Sequence, residues 1–485
     1  MSPIQTGLDL ALELPARGSR RVTRDLHGQL RSATVEGRLH PGLRLPATRE
    51  LAAALRVSRN TVVAAYDQLL AEGYVSARGR SGTIVADFVS RPAARERLGT
   101  QSPGDRRLSA AWRASAMLIP TGVDRGCRFD FAVGLPDWAS FPFAMWRRLE
   151  ARALRAISRR PPGYGEPQGR VALREAIAGH ISFARAIACT PEEIVVTAGA
   201  QQAFDLLARI LVTPGKTTVA VEEPGYAPLR NVLAAAGAKI AFVPVDAEGL
   251  RVDRVPQDAK LVFVTPSHQF PLGVHLSPAR RRALLDFARA RGAVIVEDDY
   301  DGEFRYAGKP LDALQTLDRH GAVFYVGTFS KSMFPALRLG FVIAPPWARD
   351  ALAAAKQLSD WHAPLVAQDT LAAFIAEGHL ARHVRKMRRI YGERREILEA
   401  ALAGFCGERV RVVGIGAGLH LAAQLDPSVA TARLIERARE ASVALDPMQR
   451  FAVAGRKSFG LVLGYGTIDA RRIMEGVHRL ANLMK

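Results

Sequence analysis

At 485 residues, 48% of them hydrophobic and 24% charged, the chain exceeds one ordinary domain and has material for a large core. A formal net charge of +20 suits a polyanionic partner, because each Lys or Arg that neutralises a phosphate releases a counterion, although an arginine-rich background gives the same excess. Three scattered cysteines (Cys127, Cys189, Cys406) exclude a disulfide framework, no apolar run reaches the ~18–20 residues of a membrane span, and the N-terminus has no signal pattern, so a cytoplasmic protein is expected.

Residues 15–86 alternate short helical patterns with turn signals. In LPATRELAAALRVSRNTVVAAYDQLLAEG, Leu51, Ala52 and Leu55 give one helix an apolar face, with Thr48 as its N-cap. The RVS turn leads to a second helix with apolar positions Val62, Val63, Tyr66, Leu69 and Leu70. Two short helices about a tight turn, then the hairpin YVSARGRSGTIVAD, make a mostly α winged helix-turn-helix. The second helix opens with Ser58, Arg59, Asn60 and Thr61, whose side chains suit base edges in the major groove while free backbone N–H groups suit phosphate. The wing carries Arg78 and Arg80 beside Gly79 and Gly82, which permit close approach to a DNA backbone. The segment EGRLHPGLRLPATRELAAALRVSRNTVVAAYDQLLAEGYV resembles the DNA-binding domain of the GntR family. That resemblance implies that Arg49, Arg59, Thr61 and the wing contact double-stranded DNA.

Residues 87–127, with RPAARERLGTQSPGDRR, have the composition of a linker, and SAAWRASAML near their end suits a short helix. From residue 128 to 485 apolar runs (EIVVTAG, KTTVAVEEP, KLVFVTP, AVIVEDD, AVFYVGTFS, LGFVIAP) alternate with helical patterns, which predicts βαβ units around a mostly parallel sheet. RVRVVG, GLHLAAQL and FGLVLGYG, with helices between, predict a smaller α+β lobe at the C-terminus.

Within YVGTFSKSMFPALRLG, Lys331 follows a strand in a Thr/Ser-rich turn, where a fixed and partly desolvated amine can react with an aldehyde. Thr328 and Ser330 offer hydroxyls, and Arg338 a planar cation, to a phosphate. TAGAQQAFDLL puts Ala200 and Gln201 at a helix N-terminus, a second source of phosphate donors. VIVEDDYDGEF places acids at a strand's C-terminal end, where open α/β sheets bind ligands. An Asp under a pyridine nitrogen keeps it protonated; Asp298 is expected there, Asp299 is the alternative on the strand's other side, and Tyr300 can hydrogen-bond the ring hydroxyl.

FAVGLPDWASFP, PPGYGEPQGRVALREAI, TAGAQQAFDLL, EEPGYAPLR, TPSHQFPLG, VEDDYDGEF and TFSKSMFPALRLG occur in the order of the fold-type I pyridoxal 5′-phosphate (PLP) enzymes, the aspartate aminotransferase superfamily, which residues 128–485 resemble. The resemblance implies that Lys331 forms an internal aldimine, Asp298 pairs with the pyridine nitrogen and Tyr226 stacks on the ring. Arg338, Ser330 and the amides near Ala200 would take the phosphate, and Tyr164 would reach the phosphate of a neighbouring subunit, making a homodimer. Two positions depart from the pattern. Phe270 stands where the family has Asn at the ring hydroxyl, leaving His268, Gln269 or Tyr300 to compensate. The stretch SFGLVLGYG lacks the family's carboxylate-binding Arg, leaving Arg450 or Arg456 just upstream.

A GntR-type reader fused to an aminotransferase-like domain resembles the MocR family of regulators. That likeness implies a PLP-dependent regulator that binds promoter DNA and senses PLP, an amine or an amino acid, with little turnover expected. Two other readings stay open: a working aminotransferase with an accessory DNA-binding domain, and a DNA-binding protein whose large domain only dimerises.

Overall fold

The computed structural model describes residues 10, 12–15, 21–77, 82–87, 107, 109, 112, 126–159, 163–306, 312–414, 416–453 and 460–484. The chain forms two compact units that divide between Asp105 and Arg106. Most of the expected linker, the short helix proposed within it, and the wing residues Arg78 and Arg80 lie outside the described residues.

In the smaller unit, helices α1 (Val22–Val35), α2 (Thr48–Leu55) and α3 (Arg59–Ala71) precede the hairpin strands β1 (Val75–Ala77) and β2 (Thr83–Val85). β1 and β2 pair antiparallel, and Arg44 bridges to Ile84. Leu26 and Leu30 of α1, Leu51 of α2, and Val62 and Leu69 of α3 are fully buried in one core. Each such side chain contributes roughly 1.5–3 kcal/mol of burial. Two details differ from expectation. Ala47, not Thr48, precedes the first turn of α2, and its N–H donates to the Glu50 carboxylate at 3.0 Å, so the acid three residues on makes the reciprocal half of a capping box without a capping hydroxyl. Leu70 is 44% exposed, because α3 buries only the face that carries Val62, Ala65, Tyr66 and Leu69.

The larger unit opens with β3 (Phe129–Asp130), α4 (Phe143–Ile157) and α5 (Val171–Arg185). It continues through β4 (Ile194–Thr197), α6 (Ala200–Leu211), β5 (Thr218–Glu223), α7 (Ala227–Ala235), β6 (Lys239–Asp246), β7 (Gly249–Leu250) and β8 (Ala259–Val264). Then come α8 (Pro278–Arg291), β9 (Val294–Asp299), α9 (Leu314–Leu317), β10 (Val323–Thr328), β11 (Gly340–Ile343) and α10 (Arg349–Asp360). These strands form one sheet in the order β4-β11-β10-β9-β8-β5-β6-β7. β10, β9, β8, β5 and β6 run parallel, while β11 runs antiparallel to both of its neighbours.

Helices cover both faces of the sheet, which is why its central strands are apolar throughout. Alternate residues feed opposite layers: Phe263 and Val296 pack with Phe204 and Leu207 of α6, whereas Val262 and Ile295 pack with Leu284 and Ala288 of α8. The C-terminal ends of β5, β8, β9 and β10 therefore open on one edge, the place where a parallel sheet presents its ligand site.

The chain then passes through α11 (Leu365–Ala376) and α12 (His379–Ala401) into β12 (Val410–Val413), β13 (His420–Leu425), α13 (Thr431–Glu440), β14 (Val443–Ala444), β15 (Asp446–Pro447), β16 (Leu461–Gly464) and α14 (Ala470–Leu483). β12-β13-β16-β15 make the expected antiparallel lobe. That lobe also takes in the start of the unit: β3 pairs parallel with β14, and Phe131 N–H donates to Ala444 O at 3.1 Å.

Candidate cofactor site and nucleic-acid interface

In the smaller unit the start of α3 carries the expected reading residues. Ser58 caps the helix, accepting from Thr61 N–H at 3.1 Å, and its Oγ lies 2.8 Å from Thr61 Oγ1. These two hydroxyls therefore fix the helix start, while Arg59 and Asn60 stand exposed beside them. Arg49 is exposed in the first turn of α2. Tyr66 donates to Pro46 O at 3.0 Å and holds α3 against the segment leading into α2. An exposed helix N-terminus with Arg59 and Asn60 at its tip offers bidentate donors to base edges and dipole-favoured N–H groups to phosphate.

In the larger unit, Lys331 lies just beyond β10 and its Nζ donates to Gly134 O at 2.7 Å. Burial pulls the Lys331 pKa down, and the neighbouring Asp301 and Asp298 partly oppose that shift. Asp298 and Asp299 project to opposite sides of β9, and their surroundings differ. Asp299 is committed: Arg185 Nε lies at 2.6 Å, and the Tyr325 hydroxyl donates to it at 2.6 Å. Asp298 Oδ1 is buried and finds no hydrogen-bond donor among the described residues. Burial, then the neighbouring Asp299, Asp301 and Glu222, push the Asp298 pKa well above the carboxylate range, while Lys331 pulls it back. A cationic N–H at Oδ1 would relieve that cost, which is what a protonated pyridine nitrogen offers.

The phosphate side is equally specific. Thr328 ends β10 and pairs with Gly340 of β11, which in turn pairs with Thr197 of β4, so three strand ends lie side by side. Thr328 Oγ1 accepts from Ser330 N–H at 3.2 Å and donates to Ser330 Oγ at 3.0 Å. Gly199, with φ +79°, turns the chain into α6 so that Ala200 and Gln201 form its first turn. A Cβ on Gly199 would fall 3.1 Å from Arg338 Nη1, so only glycine leaves this cradle open. Arg338 also donates to Ala198 O, and the Gln201 amide reaches Pro228 O only at 3.5 Å.

Tyr226, at the start of α7, meets Phe270 edge-on at 5.8 Å; burial raises its hydroxyl pKa to about 12, with Asp298 adding to the shift. Tyr300 has commitments the sequence did not reveal. Its hydroxyl donates to His268 O at 3.0 Å and lies 3.0 Å from His268 Nδ1. His268 Nδ1 sits 2.9 Å from Asp301, and the His420 ring lies tilted beside that of His268 with ring centres 4.9 Å apart, all three residues being buried. Gly418 makes room for this cluster, since a Cβ there would collide with both His268 and Asp301. Tyr164 is 80% exposed and stacks on Trp361 at 4.7 Å.

Of the two candidate carboxylate clamps, Arg450 is tied to Asp446 at 2.5 Å, a pairing its i,i+4 spacing could have signalled, and Arg456 lies outside the described residues. Sequence reasoning also missed the support beneath the phosphate cradle. Gln202 Oε1 accepts from Ala198 N–H at 2.7 Å and from Lys356 Nζ at 2.9 Å, and Lys356, fully buried, bonds Asp360 at 2.6 Å. Lys356→Met leaves Gln202 and Asp360 without this shared donor. We expect it to cost about 1.5–3 kcal/mol in denaturant unfolding and to weaken PLP binding in an absorbance titration; unchanged PLP affinity would remove Lys356 from the cradle's support.

Residues 23–85 match the bacterial regulatory proteins of the gntR family, and residues 129–462 match aminotransferase class I and II. The solved α-aminoadipate aminotransferase LysN of Thermus thermophilus, complexed with N-(5′-phosphopyridoxyl)-L-leucine, is 31% identical and superposes with a TM-score of 0.68 over 74% of this chain and 92% of that one. Fold and site thus define a DNA-binding unit joined to an aminotransferase-like domain that binds PLP. Among curated proteins, the "Probable rhizopine catabolism regulatory protein MocR" of Rhizobium meliloti is 37% identical, covering 94% of this chain and 92% of its own length. The pyridoxine biosynthesis transcriptional regulator PdxR of Corynebacterium glutamicum is 34% identical over 85% of each chain. The chain belongs to the MocR type of GntR-family transcription regulators. Among the described residues no helix is long and apolar enough to cross a membrane.

Proposed function

We propose that this regulator is a cytoplasmic homodimer that senses PLP, or an amine meeting PLP, and reports the result through its hold on promoter DNA. Residues 15–86 read DNA, 87–127 link, and 128–485 bind cofactor and effector. The single observation that carries the cofactor assignment is the buried Asp298 oxygen without a donor beside a desolvated Lys331. When bound, PLP supplies a reactive carbonyl and an electron-accepting ring. Lys331 holds it covalently and Asp298 keeps its ring nitrogen protonated. Tyr226 covers the ring, and Tyr300, whose hydroxyl oxygen keeps an acceptor lone pair, faces the ring hydroxyl. Ala200, Gln201, Thr328, Ser330 and Arg338 take the phosphate, and the exposed Tyr164 reaches toward a second copy's site. Arg49, Ser58, Arg59, Asn60 and Thr61, with Arg78 and Arg80 of the wing, engage DNA.

The alternative is a working aminotransferase, which the intact anchoring residues favour. The altered substrate positions weigh against it, because turnover needs contacts that strengthen in the transition state. The test pairs two assays on the full chain: titration of DNA selected by the purified protein, with and without PLP, and transamination over a panel of amino acids. A PLP-dependent change in DNA affinity of about 5- to 150-fold without multiple turnovers is expected. Rapid turnovers with PLP-indifferent DNA binding would reverse the assignment.

A further inference from the structure

Phe270 has no polar side-chain atom, so a contact to the ring hydroxyl of PLP falls to His268, Gln269 or Tyr300. Gln269 is committed to its own loop. Its Nε2 donates to Pro224 O at 2.9 Å and to Phe270 O at 2.6 Å and lies 3.3 Å from Glu222, while its Oε1 accepts from Leu272 N–H at 3.1 Å. A side-chain amide has two N–H bonds, and both are in use here. Tyr300 and His268 remain, and their contacts join them into one unit.

Tyr300 sends its hydroxyl proton to His268 O at 3.0 Å, and its oxygen lies 3.0 Å from His268 Nδ1. Asp301 Oδ2 lies 2.9 Å from the same nitrogen. As a carboxylate Asp301 only accepts, so Nδ1 carries the hydrogen that Asp301 and the Tyr300 oxygen share. The imidazole is wedged in this orientation. A Cβ on Gly418 would collide with its Cε1, a Cβ on Gly273 would fall 3.2 Å from its Nε2, and His420 lies beside it, with His420 Nε2 3.2 Å from Pro271 O. Burial, then Asp301, Asp298, Glu222 and Tyr465, hold the Tyr300 pKa well above its ordinary value, so the hydroxyl keeps its proton. Asp299 and Lys331 also act on Asp301, and His268 and Lys331 act on His420. With its proton aimed at His268 O and one lone pair facing Nδ1–H, the Tyr300 oxygen has a single lone pair left, in a fixed direction.

We propose that His268, braced by Asp301, is the positioning residue that fixes the Tyr300 hydroxyl toward the cofactor, and so supplies indirectly the contact that Phe270 cannot make. This rests on the reading of Tyr300 as the group facing the ring hydroxyl of PLP. The test uses the full-length, PLP-loaded protein and follows the pH midpoint at which the absorbance of the lysine-bound cofactor changes. Tyr300→Phe is expected to displace that midpoint by about one unit, a tenfold change. His268→Ala keeps the backbone carbonyl but loses Nδ1–H, and should displace it the same way by at least about half a unit. His268→Asn puts an amide N–H where Nδ1–H stood and should restore the midpoint to within about twofold. In the Tyr300→Phe background His268→Ala should add nothing, because the ring acts through the hydroxyl. Should His268→Ala fail to fold, His268→Gln, whose amide lies one atom farther out, takes its place with the same expectation. A parent-like midpoint in the folded Ala or Gln variant, no rescue by Asn, or full additivity in the double variant overturns the inference. A parent-like midpoint in Tyr300→Phe, or cofactor trapped by borohydride away from Lys331, instead brings down the reading on which it rests.

Discussion

Lys331→Ala is expected to abolish the covalent attachment of PLP. In the parent chain, borohydride reduction followed by peptide mass spectrometry should find the cofactor on Lys331 alone. The physical basis is twofold. Burial lowers the Lys331 pKa, which raises the share of neutral amine available to react, and the Gly134 carbonyl fixes the nitrogen at 2.7 Å. Alanine removes the nucleophile and also a cation that pulls Asp298 back toward its ionised form. The variant should therefore keep only noncovalent PLP, released on gel filtration, while its DNA-binding unit retains its own core and its affinity for DNA. Recovery of reduced cofactor on another lysine, such as the buried Lys356, would rule out the assignment.

Arg59→Ala should weaken binding to the selected DNA by about 1–3 kcal/mol, roughly 5- to 150-fold, if Arg59 reads a base, with relaxed preference at that base. If it only meets phosphate, the loss should be uniform across sequences and the salt slope should fall by about one. The side chain is exposed at the first turn of α3, so its removal opens no cavity and the melting temperature should hold. Parent-like affinity through a full salt titration would mean that α3 does not dock by this end.

Much of this was legible from local pattern, because local pattern is set by neighbours in sequence. The reader's apolar spacing and the runs of buried strand residues report contacts within a few positions, whereas Ser58, read as a groove-facing side chain, turned out to cap α3. Strand alternation separated Asp298 from Asp299, but the partners that distinguish them are remote: Asp299 meets Arg185, which arrives on α5 from far upstream. The same limit hid the His268–Asp301–His420 cluster, whose members come from three separate parts of the chain. Lys356 with Asp360, and Arg450 with Asp446, were within reach, since both pairs have i,i+4 spacing. Ala47 shows a different limit: the N-cap position has no hydroxyl and its own N–H is held by Glu50, whereas residue preference alone favours Thr48.

The parallel pairing of β3 with β14 also sets an order of events during synthesis. The reader's core is built entirely from residues near the start of the chain, so it can close as soon as that stretch leaves the ribosome. β3 emerges soon afterwards, yet its partner strand, and β16, whose Gly464 N–H donates to Phe131 O, are made long after it. The nascent aminotransferase-like domain must wait for these much later strands before this seam can form, with an early strand exposed meanwhile to wrong pairing. A chain cut short before Val443 would thus carry a competent DNA reader ahead of a domain that cannot close, a product that could occupy promoters without answering to any cofactor.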